Sequence, residues 1–513
     1  MIAQRILLGV LCAVACGADE FRDAAVKRAE DSVAAAVEKA SKDPSRPAYH
    51  FRPPALWMND PNGTIFHNGY YHLFYQHNPY GDTWGHMHWG HARSKDLVHW
   101  EHLPIALWPS EDRGEGHVFS GCAAINGDGV PMLFYTSVST AEKKRPNEQW
   151  AAIGDADMIK WEKHPNNPIL SQAMLPFEIG PDWRDPFIFH ANGRTFLVCG
   201  ADTKDEAIIP IFEADTPQLD KWTYKGILYR QPKSAIQFFE CPNFFPLDGK
   251  WVLIFSPYKP LRYMVGTFDI EKYAFTPEKE ATLDYGSFYA SNIYQGGGAT
   301  DKASGAQGSN GSAPLSIPGV RPSVLVGWVR GFKEGLGWNG CMSIPRTLSI
   351  GEDGFLRQIP YEMPTDTNAS APPNNRIQSG GEASSFETTL SSTAEGTLRV
   401  ALASGGSAQV TLTPKSPGVK PVRMEIATGG VAVDEIQGSW NGPQPDAIEI
   451  ICQIDRSVLE LAVTPWPKPR NGTLNFTKVI EYSPDGYNVL VQGKDGAKAM
   501  GGRFRNVSAL WLE

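Results

Sequence analysis

A repeat of about 60 residues constrains the fold of this chain more than any other feature of its sequence. Three short segments, DLVHW, DMIKW and QLDKW, each carry an aspartate just ahead of a tryptophan. Their tryptophans are 61 residues apart, at Trp100, Trp161 and Trp222. A regular period of this length is typical of architectures in which each copy is one small structural unit.

A second series of segments follows the same period. Each copy begins with a polar residue and continues through a turn into an apolar strand, as in DPNGTIFHNGYYHLFYQ. The copies begin at Asp60, Ser120, Asp185 and Glu240, and a fifth begins near Ala290. A unit of this length holds four short strands, and four-stranded units around an axis form a β-propeller. Five units over about residues 50–355 therefore predict five blades.

The residues that head the second series should meet in space. In a β-propeller the first strand of each blade lines the central channel, so the heads converge at one end of it. Three of the five heads are acids, Asp60, Asp185 and Glu240. One such acid would usually only cap a turn. Three at equivalent positions favour a shared functional site.

The character of the sequence changes after the fifth unit. Residues 362–385 are rich in Pro, Asn, Ser and Gly, and alternating strands such as SVLELAV follow. This alternation predicts a β-sandwich. We therefore predict an all-β fold with a five-bladed β-propeller over residues 50–360, a linker over 361–380 and a C-terminal β-sandwich over 381–513. The Gly/Ser-rich stretch 295–321 predicts a flexible surface loop within the fifth blade.

Residues 1–18 predict a secretory signal peptide. Arg5 is followed by ten apolar residues, Ile6 to Ala15, and then by small residues. Residues 19–49 form a leader whose apolar spacing indicates a short amphipathic helix. We expect a secreted, extracellular glycoprotein, because six N-x-S/T sequons are present. They begin at Asn62, Asn310, Asn368, Asn471, Asn475 and Asn506.

Charge and cysteine content disfavour several kinds of partner. The chain has 47 basic and 56 acidic residues, a formal net charge of −9, and no long basic run, so we expect no nucleic-acid partner. Outside the N-terminus no apolar run reaches the length of a membrane span. The seven cysteines include no C-x-x-C pair. No cysteine or carboxylate joins the neighbouring His86, His88 and His91, so we expect neither a metal nor a cofactor.

The composition and the acids point to carbohydrate chemistry. The 15 Trp, 17 Tyr and 24 Phe residues supply apolar faces suited to sugar rings. Paired carboxylates in an aromatic cleft are the groups that cleave glycosidic bonds, one protonating the leaving oxygen and the other attacking or activating water. On this reasoning the three head acids are candidates for nucleophile, stabiliser and acid, in an order that the spacing leaves open.

Several motifs resemble those of glycoside hydrolase family 32, the invertases and fructan hydrolases. The strongest are WMNDPNG at residues 57–63, RDP at 184–186 and ECP at 240–242. Further similar segments are FYQHNP, WGHMHWGHA, FSG, GWNGCMSIPR and, near the C-terminus, DRSVLELAV. The resemblance spans about residues 50–513. It implies a five-bladed propeller followed by a β-sandwich, as the repeat count also does.

The resemblance also implies a role for each acid. Asp60 would be the nucleophile, Asp185 would stabilise the transition state, and Glu240 would be the general acid and base. The substrate subsite would be lined by Asn59, Gln76, Trp84, Phe119, Ser120, Arg184 and Cys241, with Tyr289 and Trp328 as wall residues. His86 and the His117 that precedes FSG depart from the family pattern, which bears on fine specificity.

The leading hypothesis is a secreted β-fructofuranosidase that releases fructose from sucrose or fructan ends with retention, through a covalent fructosyl-enzyme. A fructosyltransferase with the same triad is an alternative, separable only by its products. A five-bladed propeller glycosidase acting on arabinan or xylan is disfavoured by WMNDPNG. A non-catalytic fructan-binding protein is disfavoured because all three acids are present. The expected partner in each case is a carbohydrate.

Overall fold

The computed structural model describes residues 2–296, 323–363, 375–376, 384–402, 405–466 and 472–507. The prediction of an all-β chain is confirmed, since strands dominate and short 3-10 helices occur only at Glu111–Arg113 and Gln172–Met174 in this part of the chain. The predicted loop at 295–321 and the predicted linker at 361–380 lie almost wholly outside the described residues. So do the sequons at Asn310, Asn368 and Asn471.

The leader is more helical than the sequence suggested. One helix, α1, runs from Ile2 to Ser41, so the expected short helix is part of a 40-residue one. The reason is composition, because Ala, Leu, Glu and Lys dominate this stretch and no proline interrupts it before Pro44. The described residues include no helix that is both long and apolar enough to cross a bilayer.

Five sheets follow one another between residues 56 and 360. Sheet 1 contains β1 (Leu56–His67), β2 (Tyr70–Asn78), β3 (His88–Ser94) and β4 (Trp100–Leu107). Sheet 2 contains β5 (Glu115–Ile125), β6 (Pro131–Ser139), β7 (Glu148–Gly154) and β8 (Trp161–Lys163). Sheet 3 contains β9 (Arg184–Ala191), β10 (Arg194–Asp202), β11 (Glu206–Ala214) and β12 (Trp222–Pro232). Sheet 4 contains β13 (Glu240–Leu247), β14 (Lys250–Ser256), β15 (Leu261–Asp269) and β16 (Ala274–Asp284).

The chain segment that forms sheet 5 also contributes two short strands to sheet 1. Sheet 5 contains β17 (Phe288–Ile293), β19 (Ser323–Val329), β21 (Cys341–Met342), β22 (Arg346–Ile350) and β23 (Leu356–Pro360). The short strands β18 (Gln295–Gly296) and β20 (Trp338–Asn339) pair in parallel with β1 instead. The chain segment of the fifth unit therefore adds two short strands to sheet 1.

The first strands of sheets 1 to 5 form a closed ring. β1 contacts β5, β5 contacts β9, β9 contacts β13, β13 contacts β17, and β17 contacts β1. Buried amides tie neighbours together, since Asn62 accepts a hydrogen bond from the Gly121 backbone at 3.2 Å and Asn243 accepts one from Ile293 at 2.8 Å. These bonds link different sheets and fix the first strands relative to one another.

Each first strand carries a β-bulge at the same relative position. In each, two residues oppose one on the neighbouring strand. The bulged pairs are Asn59–Asp60, Phe119–Ser120, Asp185–Pro186, Cys241–Pro242 and Ala290–Ser291. Three of these residues have positive φ, with Asp185 at 63° and both Cys241 and Ala290 at 46°. Such backbone is uncommon outside glycine and turns side chains away from the normal strand alternation.

Two further sheets form the C-terminal part. Sheet 6 contains β24 (Asn375–Arg376), β26 (Thr393–Ala401), β31 (Ala447–Asp455), β32 (Val458–Pro465), β33 (Leu474–Val479) and β35 (Lys498–Asn506). Sheet 7 contains β25 (Ser385–Leu390), β27 (Ser407–Pro414), β28 (Val422–Ala427), β29 (Gly430–Val433), β30 (Ile436–Ser439) and β34 (Tyr487–Lys494). Alternate aliphatic residues of both sheets pack into one hydrophobic core.

The segment that precedes β1 is held by sheet 6. The Asp455 carboxylate accepts hydrogen bonds from the backbone amides of residues 48–50 at 2.6 to 2.8 Å. The His50 ring contacts Asp455 through Nδ1 at 2.8 Å and Glu460 through Nε2 at 3.1 Å. Burial alone would lower the pKa of His50, but these two carboxylates outweigh it and raise that pKa to about 9. The ring is therefore a cation between two buried anions.

This cluster predicts a pH-dependent stability on the alkaline side. The stabilisation from His50 is complete below the pKa of an unfolded histidine, near 6.5, and is lost as pH rises through about 9. At about 1.4 kcal/mol per pKa unit, it is worth at most about 3.5 kcal/mol. We expect the difference in unfolding free energy between wild type and His50→Gln to shrink between pH 6.5 and 9.5, measured by urea unfolding. His99→Gln, which alters an exposed histidine, is the control. A constant difference would contradict the assignment.

Candidate active site

The bulges bring the three head acids together at one end of the ring of first strands. The Cys241 backbone amide donates to Asp185 Oδ2 at 2.9 Å, and Cys241 Sγ lies 3.7 Å from Asp60 Oδ2 and 3.6 Å from Asp185 Oδ2. Glu240 precedes this cysteine. The residues predicted at equivalent repeat positions are therefore neighbours in space.

Asp60 is partly buried and held on both carboxylate oxygens. Asn59 Nδ2 donates to Oδ1 at 3.0 Å, and Ser120 Oγ donates to Oδ2 at 2.6 Å. Burial raises the pKa of Asp60, with a further contribution from the charge of Glu240, while the bonds from Ser120 and Asn59 oppose the rise. Asn59 is itself fixed, because it accepts a bond from Trp57 Nε1 at 2.7 Å. The carboxylate is thus oriented as a nucleophile requires.

Asp185 is the most buried of the three acids. Its side chain turns inward because its backbone has positive φ and its amide donates to Thr136 Oγ1 at 2.9 Å. Burial raises the pKa of Asp185 to about 7, against the opposing charge of Arg184. A carboxyl group that titrates near neutral pH exchanges between accepting and donating hydrogen bonds, which suits contact with sugar hydroxyls.

Glu240 accepts two strong hydrogen bonds. Arg184 Nη2 lies 2.9 Å from Oε1, and the Tyr289 hydroxyl lies 2.5 Å from Oε2. The environment of Glu240 therefore differs from that of Asp60, which accepts only neutral donors. Two carboxylates in unlike surroundings can take the two different roles that glycoside cleavage needs.

Arg184 lies between the acids and two aromatic side chains, Tyr258 and Phe238. Its Nε lies 3.8 Å from Asp185 Oδ2, its Nη2 lies 2.5 Å from the Tyr258 hydroxyl, and its guanidinium stacks 4.3 Å from the ring centre of Phe238. Burial alone would lower the pKa of Arg184, but the charges of Asp185 and Glu240 outweigh it and raise that pKa. The residue remains a cation while it contacts both acids.

An aromatic wall lies on the Asp60 side of the opening. Trp84 is 55% exposed and stacks on His117, with ring centres 5.6 Å apart, and its ring also meets Phe119 at 6.1 Å. The Met87 amide donates to His117 Nδ1 at 3.3 Å, which orients that ring. An exposed indole of this kind offers a face on which a sugar ring can pack.

Two of the predicted substrate-binding residues, Gln76 and Trp328, hold buried polar atoms without a hydrogen-bond partner. Gln76 lies opposite the Asn59–Asp60 bulge and donates to the Val118 carbonyl at 2.9 Å, but its Oε1 has no partner. Trp328 pairs with Tyr289 across β17 and β19, and its Nε1 has none. Unpaired buried polar groups are rare in proteins, so these two atoms stand out in the site.

Sequence reasoning missed Tyr258, Phe238 and Thr136, although all three contact the acids or Arg184. Thr136 lies on β6 opposite the Phe119–Ser120 bulge, which a repeat pattern alone does not reveal. Tyr258 lies in the turn after β14 with a φ of 61°. No motif marks that turn.

His86 and His88 are in contact, since His88 Nδ1 lies 2.5 Å from the His86 carbonyl oxygen, but they do not share a strand face. Strand alternation would place His86 and His88 on one face, but β3 begins at His88, and His86 precedes it with a φ of 44°. Gly85 precedes His86 with a φ of 156°, which frees the turn from strand geometry. Burial lowers the pKa of His88 to about 3. Within the described residues, no group of three or more His, Cys, Asp or Glu side chains is arranged to hold a metal ion.

Comparison with known proteins yields a consistent result. The family model for the N-terminal domain of glycosyl hydrolases family 32 matches residues 50–360. A sucrose-6-phosphate hydrolase from Zymomonas mobilis is 32% identical over 364 residues, which cover 66% of this chain and 66% of that protein, just under two thirds. A levanase from Bacillus subtilis is 35% identical over 336 residues, covering 60% of this chain and 45% of the levanase.

A solved structure resembles the whole chain. It is a mutant of a family 32 β-fructofuranosidase from Bombyx mori in complex with sucrose. The similarity has a TM-score of 0.73 at 26% identity, and it covers 96% of this chain and 99% of that one.

Proposed function

We propose that this chain, which belongs to glycoside hydrolase family 32 and is a glycoside hydrolase, releases fructose from sucrose and from the ends of fructans with retention of configuration. The observation that carries the proposal is the pair Asp60 and Glu240 in one opening, the first held by Ser120 and Asn59 and the second by Arg184 and Tyr289. The Bombyx mori relative in complex with sucrose and the levanase support this substrate class.

The reaction would proceed by two displacements. Asp60 attacks the anomeric carbon of the fructosyl unit, and the bond to the leaving sugar breaks as Glu240 gives its proton to the leaving oxygen. Glu240, now ionised, takes a proton from water, which attacks the same carbon and frees Asp60 and fructose. Asp185 would bind the sugar hydroxyls and stabilise the positive charge that develops on the ring, and Arg184 would line the fructose subsite. No cofactor is required by this scheme.

The wall residues would form the fructose subsite. Asn59, Ser120 and Cys241 surround Asp60, and we assign the unpaired Gln76 Oε1 and Trp328 Nε1 to sugar hydroxyls. Trp84 and Phe119 would pack against the apolar face of the sugar. Tyr289 would orient Glu240. Burial raises the pKa of the Cys241 thiol well above its usual range, so it acts as a neutral neighbour of the acids.

We also infer that sheets 1 to 5 are the blades of a five-bladed propeller over residues 50–360 and that sheets 6 and 7 are a β-sandwich within residues 381–513. The closed ring of first strands and the single core between sheets 6 and 7 support this arrangement. Residues 1–18 would be removed as a signal peptide, and the protein would be secreted. The segment 361–380 would act as the linker.

The test of the proposed function is a product profile. Purified protein should release glucose and fructose from sucrose, and fructose as the first product from inulin or levan, measured by anion-exchange chromatography. Trisaccharides accumulating faster than free fructose at low sucrose would favour the fructosyltransferase alternative. No product from sucrose, sucrose-6-phosphate, inulin or levan would contradict the proposal.

A further inference from the structure

Arg346 lies in a fully buried polar cluster where the first five sheets meet sheet 6. Its Nη2 is 2.9 Å from Asp284 Oδ2, 2.8 Å from Glu460 Oε2 and 2.8 Å from Thr477 Oγ1. Arg346 is 1% exposed, and its partners are equally enclosed. Glu460 and Thr477 belong to sheet 6, whereas Arg346 and Asp284 belong to sheets 5 and 4. The cluster therefore joins the two parts of the molecule.

The cluster holds the turn that leads into β17. Asp284 ends β16, and its Oδ1 accepts bonds from the Gly286 amide at 2.8 Å and the Thr477 amide at 3.1 Å. The Ser287 amide donates to the Thr477 carbonyl at 2.6 Å. A Cβ at Gly286 would lie 1.9 Å from that carbonyl oxygen, so the turn and β33 touch backbone to backbone. Only glycine permits this approach.

The cluster is connected to Glu240 through the first residues of β17. The guanidinium of Arg346 stacks 4.3 Å from the ring centre of Phe288, the first residue of β17, which is completely buried. Tyr289 follows, and its hydroxyl bonds Glu240 Oε2 at 2.5 Å while accepting a bond from the Tyr258 amide at 3.0 Å. The position of Glu240 thus depends on the position of the start of β17.

We propose that Arg346, with Asp284, Glu460 and Thr477, is a positioning cluster through which the C-terminal sheets hold Tyr289 and therefore the carboxyl group of Glu240. The inference rests on the proposed role of Glu240 as acid and base. A buried ion cluster gains little net stability, because desolvation offsets the attraction between its charges. Its directional bonds to a planar guanidinium do fix orientation, which a catalytic acid needs to about 0.5 Å.

The experiment compares two substrates in the variant Arg346→Lys, which keeps the charge and loses the planar fork. The first substrate is sucrose, whose leaving oxygen needs a proton. The second is p-nitrophenyl β-D-fructofuranoside, whose leaving group departs without one. We expect kcat/KM for sucrose to fall by about 10- to 100-fold, as displacement of the acid predicts. The value for the activated substrate should fall by less than about threefold.

The groups around the Glu240 carboxyl separate a change in its position from a general loss of stability. Arg184, Tyr258, Asp60 and Asp185 face the same carboxyl group and are unchanged in Arg346→Lys. A role confined to stability would lower kcat/KM for both substrates by the same factor.

Two further variants keep the test decisive. Thr477→Val removes one hydroxyl with little change in volume. It should lower kcat/KM for sucrose relative to kcat/KM for the activated substrate, and it provides the test even if Arg346→Lys does not fold. Val491→Ala, in the core of sheet 7, is the control for destabilisation alone and should leave the ratio unchanged. In a Tyr289→Phe background, Arg346→Lys should add less than about twofold, since both act through one bond.

The proposal is overturned if Arg346→Lys and Thr477→Val leave the ratio of kcat/KM for the two substrates unchanged, or if Arg346→Lys and Tyr289→Phe act additively. Glu240→Gln separates this failure from a failure of the proposed function. A normal ratio in Glu240→Gln would remove the acid role itself. If the ratio is altered in Glu240→Gln but normal in Arg346→Lys and Thr477→Val, the acid role stands and only the positioning role is rejected.

Discussion

Asp60→Asn should lower kcat on sucrose by at least about 10⁴-fold, because the substitution removes the nucleophile and leaves no group that can form the fructosyl intermediate. The amide is almost the same size as the carboxylate and can still accept the bond from Ser120 Oγ. The fold should therefore survive, with a melting temperature close to that of the wild type. The loss should appear in kcat and not in the affinity for sucrose.

The control for Asp60→Asn is Asp157→Asn, an identical change at an exposed position between β7 and β8. It should be as active as the wild type. Deamidation would restore the carboxylate, so the mass of the peptide that contains residue 60 must be checked in every preparation. Activity within tenfold of wild type in verified Asp60→Asn protein would remove Asp60 from the nucleophile role.

Glu240→Gln should have the second largest effect. The loss of a general acid typically costs about 10²- to 10⁴-fold, and we expect kcat/KM for sucrose to fall within that range. The value for p-nitrophenyl β-D-fructofuranoside should fall far less, because its leaving group needs no proton. Glutamine keeps a polar group within reach of Arg184 and Tyr289. These two side chains should therefore stay in place, and their movement should not add to the loss of activity.

A useful control for Glu240→Gln is Glu213→Gln on β11. Glu213 also accepts bonds from an arginine, Arg194, at 2.7 and 2.8 Å, but it lies away from the acids. In Glu213→Gln, the ratio of kcat/KM for sucrose to kcat/KM for the activated substrate should equal that of the wild type. Equal losses on sucrose and on the activated substrate in Glu240→Gln would contradict the acid role.

The repeat carried most of what the sequence could predict. An aspartate before a tryptophan at a fixed period reflects sheets of equal size, and the heads of the second series fall on or beside the five bulges. The positions of Asp60, Asp185 and Glu240 were therefore predictable as a group. Family motifs added the candidate roles that spacing alone left open.

Other features were beyond the reach of sequence patterns. The full extent of α1 was underestimated, because the apolar leader and the Ala-rich stretch read as separate segments but share high helix propensity. Tyr258 contacts Arg184 through a turn that no motif marks. The partners in the cluster lie 62 to 131 positions from Arg346 along the chain, and such long-range contacts between buried polar groups leave no local signal.

The most direct measurement of the central claim is capture of the covalent intermediate. In Glu240→Gln, p-nitrophenyl β-D-fructofuranoside should load the enzyme quickly, while the missing base slows release by water. Rapid quenching, proteolysis and mass spectrometry should then find one fructosyl group on the peptide that contains Asp60. Release of p-nitrophenolate without any adduct, or an adduct on Asp185 instead, would contradict double displacement through Asp60.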